Sequence, residues 1–164
     1  MLIMQIKQKQ KANIDMDKPI QKLDTHGFVV LTQKNFSSVV KKDELWVVVF
    51  SATWCGPCQK LKKELSKINK SGIDLGVVDK DADGALYEKY NKIYLKEFRK
   101  NSKLKNKGMG LPAMWIMYKG KAIHVDFQKV SDDGYVKHDF SDEKTFLMGE
   151  TGWRKLILDI KKQM

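Results

Sequence analysis

Short apolar runs alternate with segments of helical spacing along most of this chain. Phe28-Val29-Val30-Leu31 is the first run, and Thr32 after it can cap Gln33–Val40 as a helix. Leu45-Trp46-Val47-Val48-Val49-Phe50 follows without polar alternation, as expected of a central strand covered on both faces. Beyond it Cys58, Leu61, Leu65 and Ile68 recur at three- and four-residue spacing, one helical stripe that Ser71-Gly72 stops. Leu75-Gly76-Val77-Val78-Asp79 predicts a third strand. The Asp79–Gly84 turn then leads to a helix with Leu86, Tyr90, Ile93 and Phe98 inward.

Two apolar segments, Ala113–Tyr118 and Ala122–Phe127, flank Lys119-Gly120-Lys121 and predict a hairpin with a glycine-containing turn. A last helix places Trp153, Leu156, Ile157 and Ile160 at i, i+3, i+4 and i+7. The order β-α-β-α-β-α-β-β-α implies an α/β fold in three layers, α/β/α, around a mixed sheet of about five strands. At 164 residues one domain with a single substantial core is expected. Residues 1–24, rich in lysine and glutamine, are read as an arm or extra helix, and 25–164 as the domain.

Charge changes the picture in two places. The net +11 is concentrated between Asn91 and Gly108, where Lys92, Lys96, Arg99, Lys100, Lys103, Lys105 and Lys107 face Glu97 alone. Ser131–Glu150 is biased the other way. Such asymmetry can orient an encounter with a charged partner, although a solvated face explains either run as simply. Tyr94 and Phe98 beside the basic run fall at core spacing, so nucleic-acid binding is not expected. The N-terminal residues lack the apolar run and cleavage site of a secretory signal, and no stretch approaches the roughly 20 apolar residues of a membrane span. The chain is therefore expected to be cytoplasmic, with no membrane partner.

The chemistry is concentrated in Trp54-Cys55-Gly56-Pro57-Cys58. Two cysteines so close cannot staple a domain of this size, because their bridge closes only a tiny loop. They suit reactivity. At a helix N-terminus, unpaired N–H groups and the positive dipole end favour a thiolate, which marks Cys55 as the attacking sulfur. Cys58, one turn on and within the apolar stripe, is the resolving sulfur. Pro57 suits a first helical turn and stiffens the loop, Gly56 permits close approach to Cys55, and Trp54 screens the site beside an attack path. A zinc site would need further ligands, and His26, His124 and His138 are not paired at ligand spacing; no metal or cofactor is expected.

Phe50-Ser51-Ala52-Thr53-Trp54-Cys55-Gly56-Pro57-Cys58 resembles the active-site strand and loop of the thioredoxin family, and Gly110-Leu111-Pro112-Ala113 resembles its cis-proline segment. The resemblance covers about residues 27–91 and 108–127 and resumes near Met148, leaving insertions near 92–107 and 128–148. It implies a thioredoxin fold, a cis Leu111-Pro112 bond facing the cysteines, and a backbone at Leu111 that pairs with an extended substrate. Gly149 resembles the family glycine lining the same groove. One departure concerns mechanism: the family's buried aspartate falls at Val49, and its lysine neighbour at Leu75. The expected function is a protein-disulfide reductant acting on disulfide-containing proteins and recharged by a thioredoxin-reductase-type donor. The alternative is a binding module that meets its partner through the basic insertion. An oxidant or isomerase is disfavoured by Gly56-Pro57, since those relatives often carry histidine before the second cysteine.

Overall fold

The computed structural model describes residues 21–68, 72–98, 108–125, 128–130, 136–138 and 149–164. Its central sheet has five strands in the order β1-β3-β2-β4-β5: β1 is Val29–Val30, β2 Trp46–Ser51, β3 Asp74–Asp79, β4 Ala113–Tyr118 and β5 Lys121–Val125. β1 and β2 both run parallel to β3, whereas β4 is antiparallel to β2 and β5 to β4. The helices are α1 (Phe36–Val39), α2 (Gly56–Leu65), α3 (Gly84–Phe98) and α4 (Gly149–Lys162). A separate antiparallel pair, β6 (Gln128–Val130) and β7 (Val136–His138), lies within the stretch 128–148 expected to be an insertion.

The pleat of β2 divides the core. Val47 and Val49 point to one face, where they join Leu61 and Leu65 of α2 and Trp153 and Ile157 of α4. Trp46, Val48 and Phe50 point to the other, against Leu86, Tyr87, Tyr90 and Tyr94 of α3. Every residue of β2 is buried, which is why its run shows no polar alternation. Bulk on the α3 side is accommodated at β3 by Gly76. A Cβ there would fall 2.5 Å from Leu31 Cδ1 and 3.3 Å from Trp46 Cε3, so the absent side chain is what lets both fit.

Several boundaries differ from those the pattern predicts. The expected Gln33–Val40 helix is shorter, because Asn35 Oδ1 accepts the Thr32 N–H at 2.7 Å and its amide donates to Val30 O at 3.0 Å. Those side-chain bonds hold Thr32–Asn35 in a turn that competes with helix. Upstream, the Asp24 N–H bonds to Phe28 O and the Val30 N–H to Lys22 O, so the expected boundary at residue 24 falls inside a small hairpin. The basic run begins on α3, whose Lys92 and Lys96 are exposed; residues 99–107, the side chain of Phe98, and Phe127 lie outside the described residues. No described helix is long and apolar enough to cross a membrane.

Candidate active site

Two strand ends bring the motif and the proline loop together. β2 ends at Ser51 and the chain turns through Thr53-Trp54 into α2, while Phe50 pairs with Ala113 at the start of β4. Residues just after Phe50 and just before Ala113 must therefore meet. Leu111 packs against Ala52, Cys55 and Cys58, and the Leu111–Pro112 bond is cis. Gly110 precedes it with φ +69°, a backbone conformation that side-chain-bearing residues rarely adopt.

Cys55 and Cys58 form a disulfide with an S–S distance of 2.15 Å and Cα atoms 5.3 Å apart. Cys55 is the N-cap of α2, and its sulfur accepts the Cys58 N–H at 3.2 Å. An N-cap side chain ordinarily offers oxygen to that donor; here the sulfur takes its place, so a thiolate at Cys55 would face both the N–H and the positive end of the helix dipole. No acidic residue in the first turn of α2 opposes that field. Cys58 is wholly buried and Cys55 is 5 % exposed, with Trp54 beside them 69 % exposed. Pro57 sits in the first turn, as expected, and a Cβ added at Gly56 would point into open space. Gly149 begins α4 with φ +64°.

Val49 lies in the core on the α2 side, paired with Val77 and Met114, and Leu75 belongs to the same apolar cluster. The positions that carry charge in the family pattern are thus joined by hydrocarbon. His124 is a core residue, its ring 4.6 Å from that of Tyr94 and 5.3 Å from that of Trp115. Among the described residues, no three of His, Cys, Asp and Glu cluster to hold a metal.

Three supporting residues escape the sequence reading. Asp81 Oδ2 accepts the Trp54 indole N–H at 2.7 Å and so orients the exposed ring. The Gln59 amide donates to Ala52 O at 3.1 Å, tying α2 back to the loop that leads into it. Asn91 Oδ1 accepts the Met109 N–H at 2.9 Å and anchors the approach to the cis-proline. Asp81 stands in a segment whose sequence signals only a turn, and the polar partners of Gln59 and Asn91 are defined by tertiary contact alone.

The thioredoxin family model matches residues 27–133. A protein disulfide-isomerase A6 homolog of Drosophila melanogaster is 47% identical over 64 residues, covering 37% of this chain and 15% of that protein. Human protein disulfide-isomerase A6 is 39% identical over 66 residues, covering 38% of this chain and 15% of its own length. The chain thus spans only a small part of these curated relatives. Among solved structures, chloroplastic thioredoxin z aligns with a TM-score of 0.50 and 17% identity over 88% of this chain and 98% of that one, a likeness of fold. The span matched by the family model runs from the turn before β1 through β6 and includes both the cysteine pair and the cis-proline, and on that match the chain belongs to the thioredoxin family.

Proposed function

We propose that this chain is a thiol-disulfide oxidoreductase that reduces disulfides in protein substrates. The observation that carries the reading is the asymmetry of the two sulfurs: Cys55 caps α2, its sulfur facing the Cys58 N–H and keeping a small exposure of 5 %, and Cys58 lies wholly buried behind it. In the dithiol form the Cys55 thiolate attacks one substrate sulfur, the substrate S–S bond breaks, and the displaced substrate thiolate takes a proton. Cys58 then loses its proton and attacks Cys55 Sγ. The Cys55–Cys58 bond forms, the mixed disulfide breaks, and a second substrate thiolate leaves, so two electrons pass to the substrate. Leu111 offers backbone to an extended substrate beside the cis bond, with Trp54 on the near flank and Gly149 along the groove. A thioredoxin-reductase-type donor returns the electrons, and a reducing compartment such as the cytoplasm suits this direction of flow.

Isomerisation is the second reading, favoured by the similarity to the protein disulfide-isomerase A6 proteins of Drosophila melanogaster and human. The Gly56-Pro57 dipeptide favours reduction. The deciding experiment is reduction of insulin by the pre-reduced chain, run beside Cys55→Ser and Cys58→Ser. Turnover in the wild type, none in Cys55→Ser and a trapped mixed disulfide in Cys58→Ser are expected. Reactivation of scrambled ribonuclease that outpaces insulin reduction would assign isomerisation instead, and wild-type protein that does neither would leave a binding module.

A further inference from the structure

A cavity of about 360 Å³ opens at the end of the sheet away from the cysteines. Lys41 and Lys42 precede the first residue of β2, Trp46, whereas Cys55 follows its last, Ser51. The six residues of that strand, at roughly 3.3 Å each, put the cavity about 20 Å from the sulfurs. Its volume falls within the range of small-molecule sites, roughly 300–1,000 Å³.

The floor is apolar and built from three elements: Phe36 and Val40 at α1, Tyr90 of α3, and Met117 with Ala122 from the β4–β5 hairpin. These parts are already fixed to one another. The rings of Phe36 and Tyr90 lie 5.8 Å apart, the Tyr90 hydroxyl donates to Met117 Sδ at 3.8 Å, and the Lys119 N–H bonds to Lys42 O at 2.7 Å. Burial pushes the Tyr90 phenol up to about 12, so the floor carries no charge at neutral pH.

The rim has one sign of charge. Lys41, Lys42, Lys89 and Lys121 line the opening, and none of the lining residues is acidic. The nearby Glu44 carboxylate is turned toward the Lys41 N–H and the Trp46 indole N–H, and Lys121 Nζ donates to Met164 O at 3.4 Å, an acceptor that offsets part of its charge and leaves Lys41, Lys42 and Lys89 to dominate the potential of the mouth. Cations gathered over a low-dielectric floor repel one another and focus a positive potential into the mouth. A neutral apolar ligand would fill the floor but leave that repulsion in place, and a free inorganic anion would answer the rim but leave the floor wet.

We infer that this cavity is a binding site for a small amphipathic anion, an aromatic or short acyl body bearing a carboxylate, sulfonate or phosphate. The site is independent of the redox reaction and far enough from it for both to be occupied at once.

The test titrates the full chain with 1-anilinonaphthalene-8-sulfonate and, in parallel, with neutral N-phenyl-1-naphthylamine, reading probe fluorescence. One saturable site is expected, with the sulfonate bound more tightly than the neutral probe. Lys42→Gln combined with Lys89→Gln should weaken the sulfonate by roughly tenfold or more, the loss of two favourable charge contacts. Ala122→Trp, which fills the floor, should abolish binding of both probes. Insulin reduction by each variant should match the wild type, which also shows that the variant is folded. Equal affinity for the two probes, sulfonate affinity indifferent to the lysine changes, or no saturable binding at all would each overturn the proposal. If Ala122→Trp fails to fold, the lysine variant decides alone.

Discussion

At Val49 the central strand carries an isopropyl group where the family pattern has a carboxylate, and Leu75 in the same apolar cluster removes the matching cation. The joint loss leaves no orphaned charge at these two positions, so the core beneath the site gains apolar packing and position 49 offers Cys58 no base. Val49→Asp restores that base without its partner. It is expected to speed resolution of the mixed disulfide and to lower stability by about 2–4 kcal/mol, the cost of an unpaired polar group in a dry core. Rapid-mixing of the mixed disulfide with urea titration of the same variant measures both, and no change in either would reject the account. Trp54 poses a different question. Trp46, Trp115 and Trp153 are at most 1 % exposed, so fluorescence accessible to iodide belongs to Trp54. Asp81→Asn weakens the charge-assisted bond that orients that indole. Insulin reduction should fall a few-fold while reduction of hydroxyethyl disulfide, too small to need the ring, stays unchanged, and the iodide-quenchable signal should rise.

At the scale of elements, close approach and buried charge fix what hydrophobic pattern leaves open. Gly76 reads in the sequence only as a weak spot within an apolar strand; its reason lies across the sheet, in Leu31 and Trp46. Gly76→Ala should cost about 1–3 kcal/mol by overpacking, and Leu31→Ala in the same chain should recover part of that loss, a coupling that a double-mutant cycle by urea denaturation reads directly. α2 poses the complementary case. Its stripe of Cys58, Leu61 and Leu65 was legible, but Lys62 is also buried, and its ammonium pairs with Asp24 Oδ2 at 2.9 Å. No local pattern reveals such a pair, because its members are 38 residues apart. Burial pushes the Asp24 carboxyl up, but the Lys62 ammonium and the N–H groups of Phe28 and His26 outweigh it and hold the group below its ordinary value of 3.8. A carboxyl depressed in the folded state stabilises above its unfolded pKa, and that contribution fades as pH falls through the folded value. Asp24→Asn should therefore lower stability at pH 7 by about 1–3 kcal/mol, through the half-stranded lysine, and flatten the decline expected of the wild type below about pH 4. Urea midpoints from pH 7 to pH 2 give both quantities.

For the molecule as a whole, the amino-acid sequence makes a role legible where it depends on near neighbours and less so where it depends on distant ones. The order of elements along the chain and the helix stripes follow from period, and the meeting of the Cys55 loop with the Leu111-Pro112 segment from the resemblance to the family's motifs, whereas the order of strands across the sheet is set by pairings such as Phe50 with Ala113. The short α1 does not, because Asn35 trades helical bonds for a turn only when Val30 is there to receive its amide. The same division of labour bears on stability. Two apolar clusters, one on each face of the sheet, hold the fold, and the cysteines sit in a third, small one with Ala52 at the end of β2. Their bridge spans a separation of three residues, and closing so small a loop removes about 2 kcal/mol or less of unfolded-state entropy. Reducing it should therefore leave the fold intact. Urea unfolding with and without dithiothreitol is expected to give stabilities within about 2 kcal/mol of each other, with the same cooperativity. A reductant that must shuttle between dithiol and disulfide on every turnover requires that near-equality, whereas a dithiol form that unfolds or loses cooperativity would mark the bridge as structural and remove the physical basis for repeated electron transfer through Cys55 and Cys58.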